Sequence, residues 1–476
     1  MRPSTARAAV IRTALARTAL VRSAVARPAA TRNAAVLAAV LLVAAAAPAA
    51  PADGGAPQPV RTTATAETPA VHDDEAGGNA DADDPAVWVD PESPGRSLVL
   101  GTLKDAGLDV YGLNGRRLQH IGAPPAPGEG SEPGRFNNVD IVYGFELDGH
   151  PTDLALVSDR GRDRLRAYAI DPAAVAAGEP PLTEVTAASA GPVFAADEEE
   201  VDEQHTAYGL ASYSDDGEAY AVVSRRAETR LKLLRLKDEG GRVGYATEDT
   251  ADLPGSFTLP DGKNWEPCTD PGERAQVEGM AVDQEKGVLY AAQEDVGLWR
   301  IALDDGEFGG PSLFDKVREY GVPWTYDEAK EECVLDTDND PGHGGNRLSA
   351  DAEGVTVYHA GDGEGYVLAS SQGDDTFAVY GRGGRNPYIG SFTVADGPET
   401  DGVQHSDGAM ALNVPLGRAF PKGLLATHDG EATPADGERE STGFKFVRWD
   451  DLAAAFPAPL TVDTDSFDPR DTDRRG

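Results

Sequence analysis

Residues 278–303 read EGMAVDQEKGVLYAAQEDVGLWRIAL, and this stretch decides the fold. It opens on an acid, Glu278, followed by Gly279 and a short apolar run. A polar turn comes next, then a second apolar run from about Leu289, a charged tip at Glu294-Asp295, and a third apolar run. Short apolar runs punctuated by polar turns predict antiparallel strands. The same unit recurs along the chain. Its other leading strands open at Asp83-Asp84-Pro85, Asn137-Asn138-Val139, Tyr208-Gly209, Glu353-Gly354 and Asp407-Gly408. Its other second strands begin near Leu98, Leu154, Tyr220, Tyr366 and Leu424. Units of short strands recurring every ~56 to 77 residues predict an all-β, six-bladed β-propeller with antiparallel four-stranded blades.

The repeat also predicts where function sits. Adjacent antiparallel strands run in opposite directions, so the start of the first strand and the end of the second share one end of the sheet. In a propeller the first strand lines the central channel, so six openings and six tips crowd one face. The tips read Lys104, Arg160, Arg225-Arg226, Glu294-Asp295, Gln372 and Asp429. Three consecutive blades offer cations and the next three offer oxygen donors. Solvated turns alone predict no such order.

The rest of the chain bounds the class. Residues 1–52 read as an export leader: seven arginines with no acid, a short apolar run from Ala34 to Ala47, then small residues. Residues 53–66 read as a disordered lead-in, 67–460 as the propeller and 461–476 as a polar tail. A secreted, extracellular protein is expected. A net charge of −39 disfavours nucleic acid and anionic membrane surfaces. It suits solubility, cation binding, or both. Only two cysteines occur, Cys268 and Cys333, and after export the pair is expected to form a disulfide. A monomer is expected.

Oxygen donors dominate the predicted face: Glu278, Glu294, Asp351, Glu353, Gln372, Asp401, Asp407 and Asp429. Hard cations such as calcium take about six to eight oxygen ligands, carboxylate, amide and carbonyl alike. Asp351 and Glu353 fall on one side of an extended segment, because side chains alternate along a strand. Cations are scarcer. Arginine grips phosphate oxygens through a planar fork and lysine acts as a compact charge. Lys104, Arg160, Arg225 and Arg226 beside a carboxylate face suit an anionic substrate held between fixed cations and bound metal ions. A nucleophilic serine finds no support, since no Gly-x-Ser-x-Gly elbow marks the tips.

At these residues the chain resembles the secreted bacterial, calcium-dependent β-propeller phytases. The likeness is carried by Asp83-Asp84-Pro85-Ala86-Val87-Trp88, Asn137-Asn138-Val139-Asp140, Glu278-Gly279-Met280-Ala281, Asp351-Ala352-Glu353-Gly354, Ala369-Ser370-Ser371-Gln372-Gly373 and Asp396-Gly397-Pro398-Glu399-Thr400-Asp401-Gly402. It runs over about 67 to 455. The resemblance implies hydrolysis of phytate, free or as its calcium salt, and of other inositol phosphates, with several calcium ions, catalytic and structural. It implies that Lys104 and Arg160 contact phosphate and that Glu278, Asp351, Glu353 and Gln372 hold catalytic calcium, with Glu294 close by. Tyr208 would touch substrate or calcium. Asp84, the Val139 carbonyl and the Asp401 loop would belong to calcium positions. Direct attack by a calcium-bound water is expected, with Glu294 a candidate acid for the leaving alkoxide. At the third tip, Arg225 and Arg226 stay open as alternatives. Two rivals share the fold: a calcium-dependent lactonase, which has no need of the basic tips, and a propeller that binds anions or calcium without turnover.

Overall fold

The computed structural model of the protein describes residues 58–330, 332–433 and 439–471. The predicted leader lies outside them. Six antiparallel sheets follow one another along the chain. Their inner strands are Pro85–Trp88, Phe136–Leu147, Ala207–Asp215, Val277–Asp283, Ala352–His359 and Ala409–Leu412. Each inner strand touches the next, and the sixth returns to the first. That closed ring makes the six-bladed β-propeller. The second strands, Leu98–Thr102, His150–Asp159, Glu218–Arg225, Val288–Gln293, Gly365–Ser371 and Leu424–Asp429, follow as the repeat predicts.

Closure departs from the expected boundaries. Blade 6 draws three strands from Ala409–Leu412, Leu424–Asp429 and Ser441–Arg448, and its fourth is Ala66–Glu67 from the other end of the chain. Residues 53–66 are therefore not all irregular: Val60–Thr63 adds a parallel fifth strand to blade 5, beside Tyr388–Ala395. Alternation explains it, since Thr62 and Ala64 are buried while Arg61 and Thr63 face out. The tail after residue 460 is also more than a polar end. Phe467 stacks on His359 with ring centroids 4.1 Å apart, and Arg470 donates to Asp153 (2.9 Å) and the Val89 carbonyl (2.6 Å). Phe467 and Pro469 line the central channel at the end remote from the tips.

The blades pack through apolar faces, and one buried ion pair joins two of them. Arg382, on blade 5, donates to Asp283 on blade 4 at 2.5 and 2.6 Å, and both side chains are fully buried. Removing one partner strands a charge where water cannot reach it. Arg382→Met is expected to lower unfolding stability by about 3–5 kcal/mol, read from denaturant midpoints. The long segment between the outer strand of blade 4 and the inner strand of blade 5 carries a hairpin, Trp324–Asp327 with Glu332–Leu335. A disulfide between Cys268 and Cys333 ties that hairpin down.

Candidate active site

Local sequence builds the channel mouth. On four blades the opening residue of the inner strand is followed by glycine, and the glycine admits the neighbouring strand. A Cβ on Gly209 would lie 2.1 Å from the Glu278 carbonyl oxygen, and one on Gly279 would lie 2.1 Å from that of Glu353. Any side chain there would push the next blade away, so these glycines bring Tyr208, Glu278 and Glu353 together. A second device fixes the tips. Thr102 donates to the Asn137 carbonyl (2.5 Å), Ser158 to that of Tyr208 (2.5 Å), Ser224 to that of Val277 (2.6 Å) and Ser370 to that of Ser406 (2.6 Å). Each hydroxyl straps a second strand to the next inner strand. Two positions on, just past the end of each strand, stand the tips Lys104, Arg160, Arg226 and Gln372.

This strap decides the third tip. Arg226 is the equivalent of Lys104 and Arg160, and its charge is felt at Arg160. Arg225 points elsewhere: its Nε donates to the His205 carbonyl (2.7 Å) and its guanidinium lies beside Phe194. Arg225 therefore has a structural role that Lys104 and Arg160 do not share.

The carboxylates converge. Glu278, Glu294 and Glu353 each bring an oxygen within 4.8 Å of the others, and all three are buried. Tyr208 OH donates to Glu278 Oε2 at 2.5 Å, and Asn137 Nδ2 to Glu278 Oε1 at 2.5 Å. Gln276 donates to both Tyr208 OH and Glu294 Oε2 at 3.1 Å. Glu294 Oε1 and Glu353 Oε2 are buried without a hydrogen-bond partner. Burial and mutual repulsion push these carboxyls up: Glu353 well up, through burial, then Glu278 and Glu294. Asp351, half-buried and repelled by Asp407, is raised to about 6 through desolvation, then that repulsion. Gln372 donates to Asp407, linking blades 5 and 6. Buried carboxylates with oxygens left open fit a hard divalent cation such as calcium, which takes oxygen ligands.

Cations border the group. Lys104 Nζ lies 2.7 Å from Asp81, 3.3 Å from Asp83 and 3.7 Å from Asp407. Burial alone would lower its pKa, yet these three acids hold it well above the ordinary value. Arg160 is different. Its guanidinium lies over the Tyr208 ring at 5.6 Å and reaches Asn137 Oδ1 at 3.5 Å. Its Nε is buried without a partner. Burial, then the charges of Arg226 and Arg135, push its pKa down to about 10.

Other predicted residues lie apart from this group. Asp84 accepts from the Val139 amide at 3.0 Å, so Val139 meets it through N–H. Asp401 and Asp429 gather with Glu67 on the buried ammonium of Lys445, which lies 2.7 Å from Glu67 and 3.2 Å from Asp429. They do not join the oxygen cluster at the mouth; they share one internal cation, Lys445. Gln276, Asp81, Asp83 and Arg135 were not singled out from sequence as site residues. Gln276 and Arg135 stand just before inner strands, each two residues ahead of a motif that sequence did mark.

A family model described as Phytase matches residues 30–178 and 323–475. A curated 3-phytase of Bacillus subtilis is 30% identical over 397 residues, covering 83% of this chain and 85% of that protein. Among solved structures, a protein from Lactobacillus plantarum is 14% identical over 65% of this chain and 72% of its own, with a TM-score of 0.37. An α-L-arabinofuranosidase of Fusarium graminearum is 10% identical over 81% of this chain and 98% of its own, with a TM-score of 0.43. Both are too distant to bear on the chemistry. The family match and the Bacillus relative agree with the acids and cations ringed around the channel mouth, and this chain belongs to the phytase family of hydrolases.

Proposed function

We propose that the protein hydrolyses phosphate monoesters of phytate and related inositol phosphates with the help of calcium held at the channel mouth. One observation carries this: the buried cluster of Glu278, Glu294 and Glu353 stands against Tyr208, over whose ring lies Arg160, a cation that no carboxylate pairs directly among the described residues. Acids alone would repel a polyphosphate, and cations alone would not leave carboxylate oxygens open.

Glu278, Asp351, Glu353 and Gln372 would hold the metal, with Glu294 beside them. Calcium, when bound, would neutralise these carboxylates, lower the pKa of a water and draw charge from the phosphoryl oxygens. The chain's own groups do the rest. Arg160 and Arg226 bind phosphate oxygens, and Lys104 adds a third positive charge beside them. A water oxygen bonds phosphorus as the ester P–O bond breaks; one water proton stays on the phosphate formed, the alkoxide takes a proton from an acid, and the second water proton restores that acid. Glu294 is our candidate donor, because Gln276 fixes its Oε2 and its Oε1 is free to face the leaving oxygen. Tyr208 holds Glu278 in place through its hydroxyl.

The family and its Bacillus relative support phytate as substrate. The strongly acidic composition and the Cys268–Cys333 disulfide support a secreted protein, and we take it to act as a monomer outside the cell. Among the described residues no helix is long and apolar enough to cross a membrane.

Phosphate release from phytate, measured before and after exhaustive chelation, tests the reading. Activity is expected to fall at least a hundredfold on chelation and to return with calcium. Unchanged turnover without calcium would remove the metal from the mechanism. Turnover of a lactone in place of phytate would favour the lactonase.

A further inference from the structure

The tip of blade 1 reads Lys104-Asp105, which puts an acid beside a mouth expected to receive a polyanion. The structure gives that acid a partner. Arg135 Nη1 donates to Asp105 Oδ1 at 2.7 Å, and both side chains are largely buried, 22% and 19% exposed. The backbone pins Arg135 between the first two tips. Its amide donates to Asp159 Oδ1 (3.0 Å), and its carbonyl accepts from the Arg160 amide (2.8 Å). Its charge is felt at both Lys104 and Arg160.

The pairing with Asp105 is one-sided. A guanidinium that serves only a carboxylate commonly uses two parallel bonds. Here one Nη is engaged, while Nε is buried with no hydrogen-bond partner. Donors therefore remain. Three cations held this close repel one another, an arrangement that costs stability unless an anion completes it.

We infer that Arg135 is a further substrate-binding residue, gripping phosphate oxygens between Lys104 and Arg160 while Asp105 holds its guanidinium in place. The inference rests on the phosphate-binding reading of the mouth given above. Nothing in it requires turnover.

The probe is myo-inositol hexakissulfate, a polyanion with no phosphate ester to cleave, titrated calorimetrically into the whole protein in calcium buffer. Arg135→Gln is expected to weaken binding about tenfold, the scale of a lost charge-assisted hydrogen bond. Wild-type affinity in that variant overturns the inference. A second variant separates ligand contact from simple neutralisation of Asp105. The double variant Arg135→Gln, Asp105→Asn leaves no bare carboxylate, and it removes both partners of the pair, which folds more readily than removing one. It is expected to stay several-fold weaker than the wild type. Recovery of wild-type affinity would mean that Arg135 serves only to mask Asp105, and would overturn the inference as well. A wild-type protein that binds the sulfate and releases nothing from phytate would sink the proposed hydrolysis and leave Arg135 standing.

Discussion

Glu353→Gln is expected to lower kcat/KM for phytate about a thousandfold, the scale seen when one strong electrostatic stabiliser leaves an active site. The same change is expected to leave the calcium-free protein at least as stable as the wild type. The two outcomes share one cause. Glu353 sits with Glu278 and Glu294 in a buried group whose oxygens lie within 4.8 Å of one another, and its Oε2 has no donor facing it. Without a cation the three carboxylates repel, and burial raises the cost. An amide removes one charge while keeping the shape, so folding gains what metal binding loses. Initial-rate kinetics at saturating calcium, with melting curves recorded in chelator, check both halves. Wild-type kinetics would take Glu353 out of the site. A large loss of stability in chelator would mean that its charge is needed for folding instead.

Arg160→Met is the second large effect. A loss of about a hundred- to a thousandfold in kcat/KM is expected, since a cation aimed at phosphoryl oxygens acts where water is excluded. Arg160 gives little to the fold in return. Its firmest contacts are the Tyr208 ring and an Asn137 oxygen at 3.5 Å, and no carboxylate pairs directly with it among the described residues. A half-buried cation under that much repulsion, its pKa pressed down to about 10, is a strained group. Methionine fills much of the same volume without the charge, so the melting temperature is expected to hold or rise. Arg160→Lys is expected to recover only part of the rate, because an ammonium cannot make two parallel bonds to a phosphate. Unaltered kinetics in Arg160→Met would exclude phosphate contact at this tip.

Much of this architecture was legible in one dimension. Strand–turn–strand units recurring along the chain predicted six blades, because period-two burial and tight turns leave short-range marks. The tips were legible for the same reason. The third was not: Arg225 and Arg226 look alike in sequence, and only the Ser224 hydroxyl on the Val277 carbonyl shows which one faces the mouth. A reading of Thr102, Ser158, Ser224 and Ser370, each two residues before a tip, would have found it. Gln276 and Arg135 carried no such mark, since each acts through a partner on a neighbouring blade, Tyr208 and Asp105.

The sequence by itself determined the number of blades, the face on which acids and cations collect, and the disulfide between the only two cysteines. Those properties follow from local periodicity and from composition. The tertiary structure alone decided who meets whom across the ring. It set Asp401 and Asp429 on Lys445 with Glu67, turned Arg225 away, set Arg135 between two tips, and closed the sixth blade with Ala66–Glu67. Contacts between residues hundreds of positions apart depend on how the blades curve back on one another, and that curvature leaves no mark in any short stretch of chain.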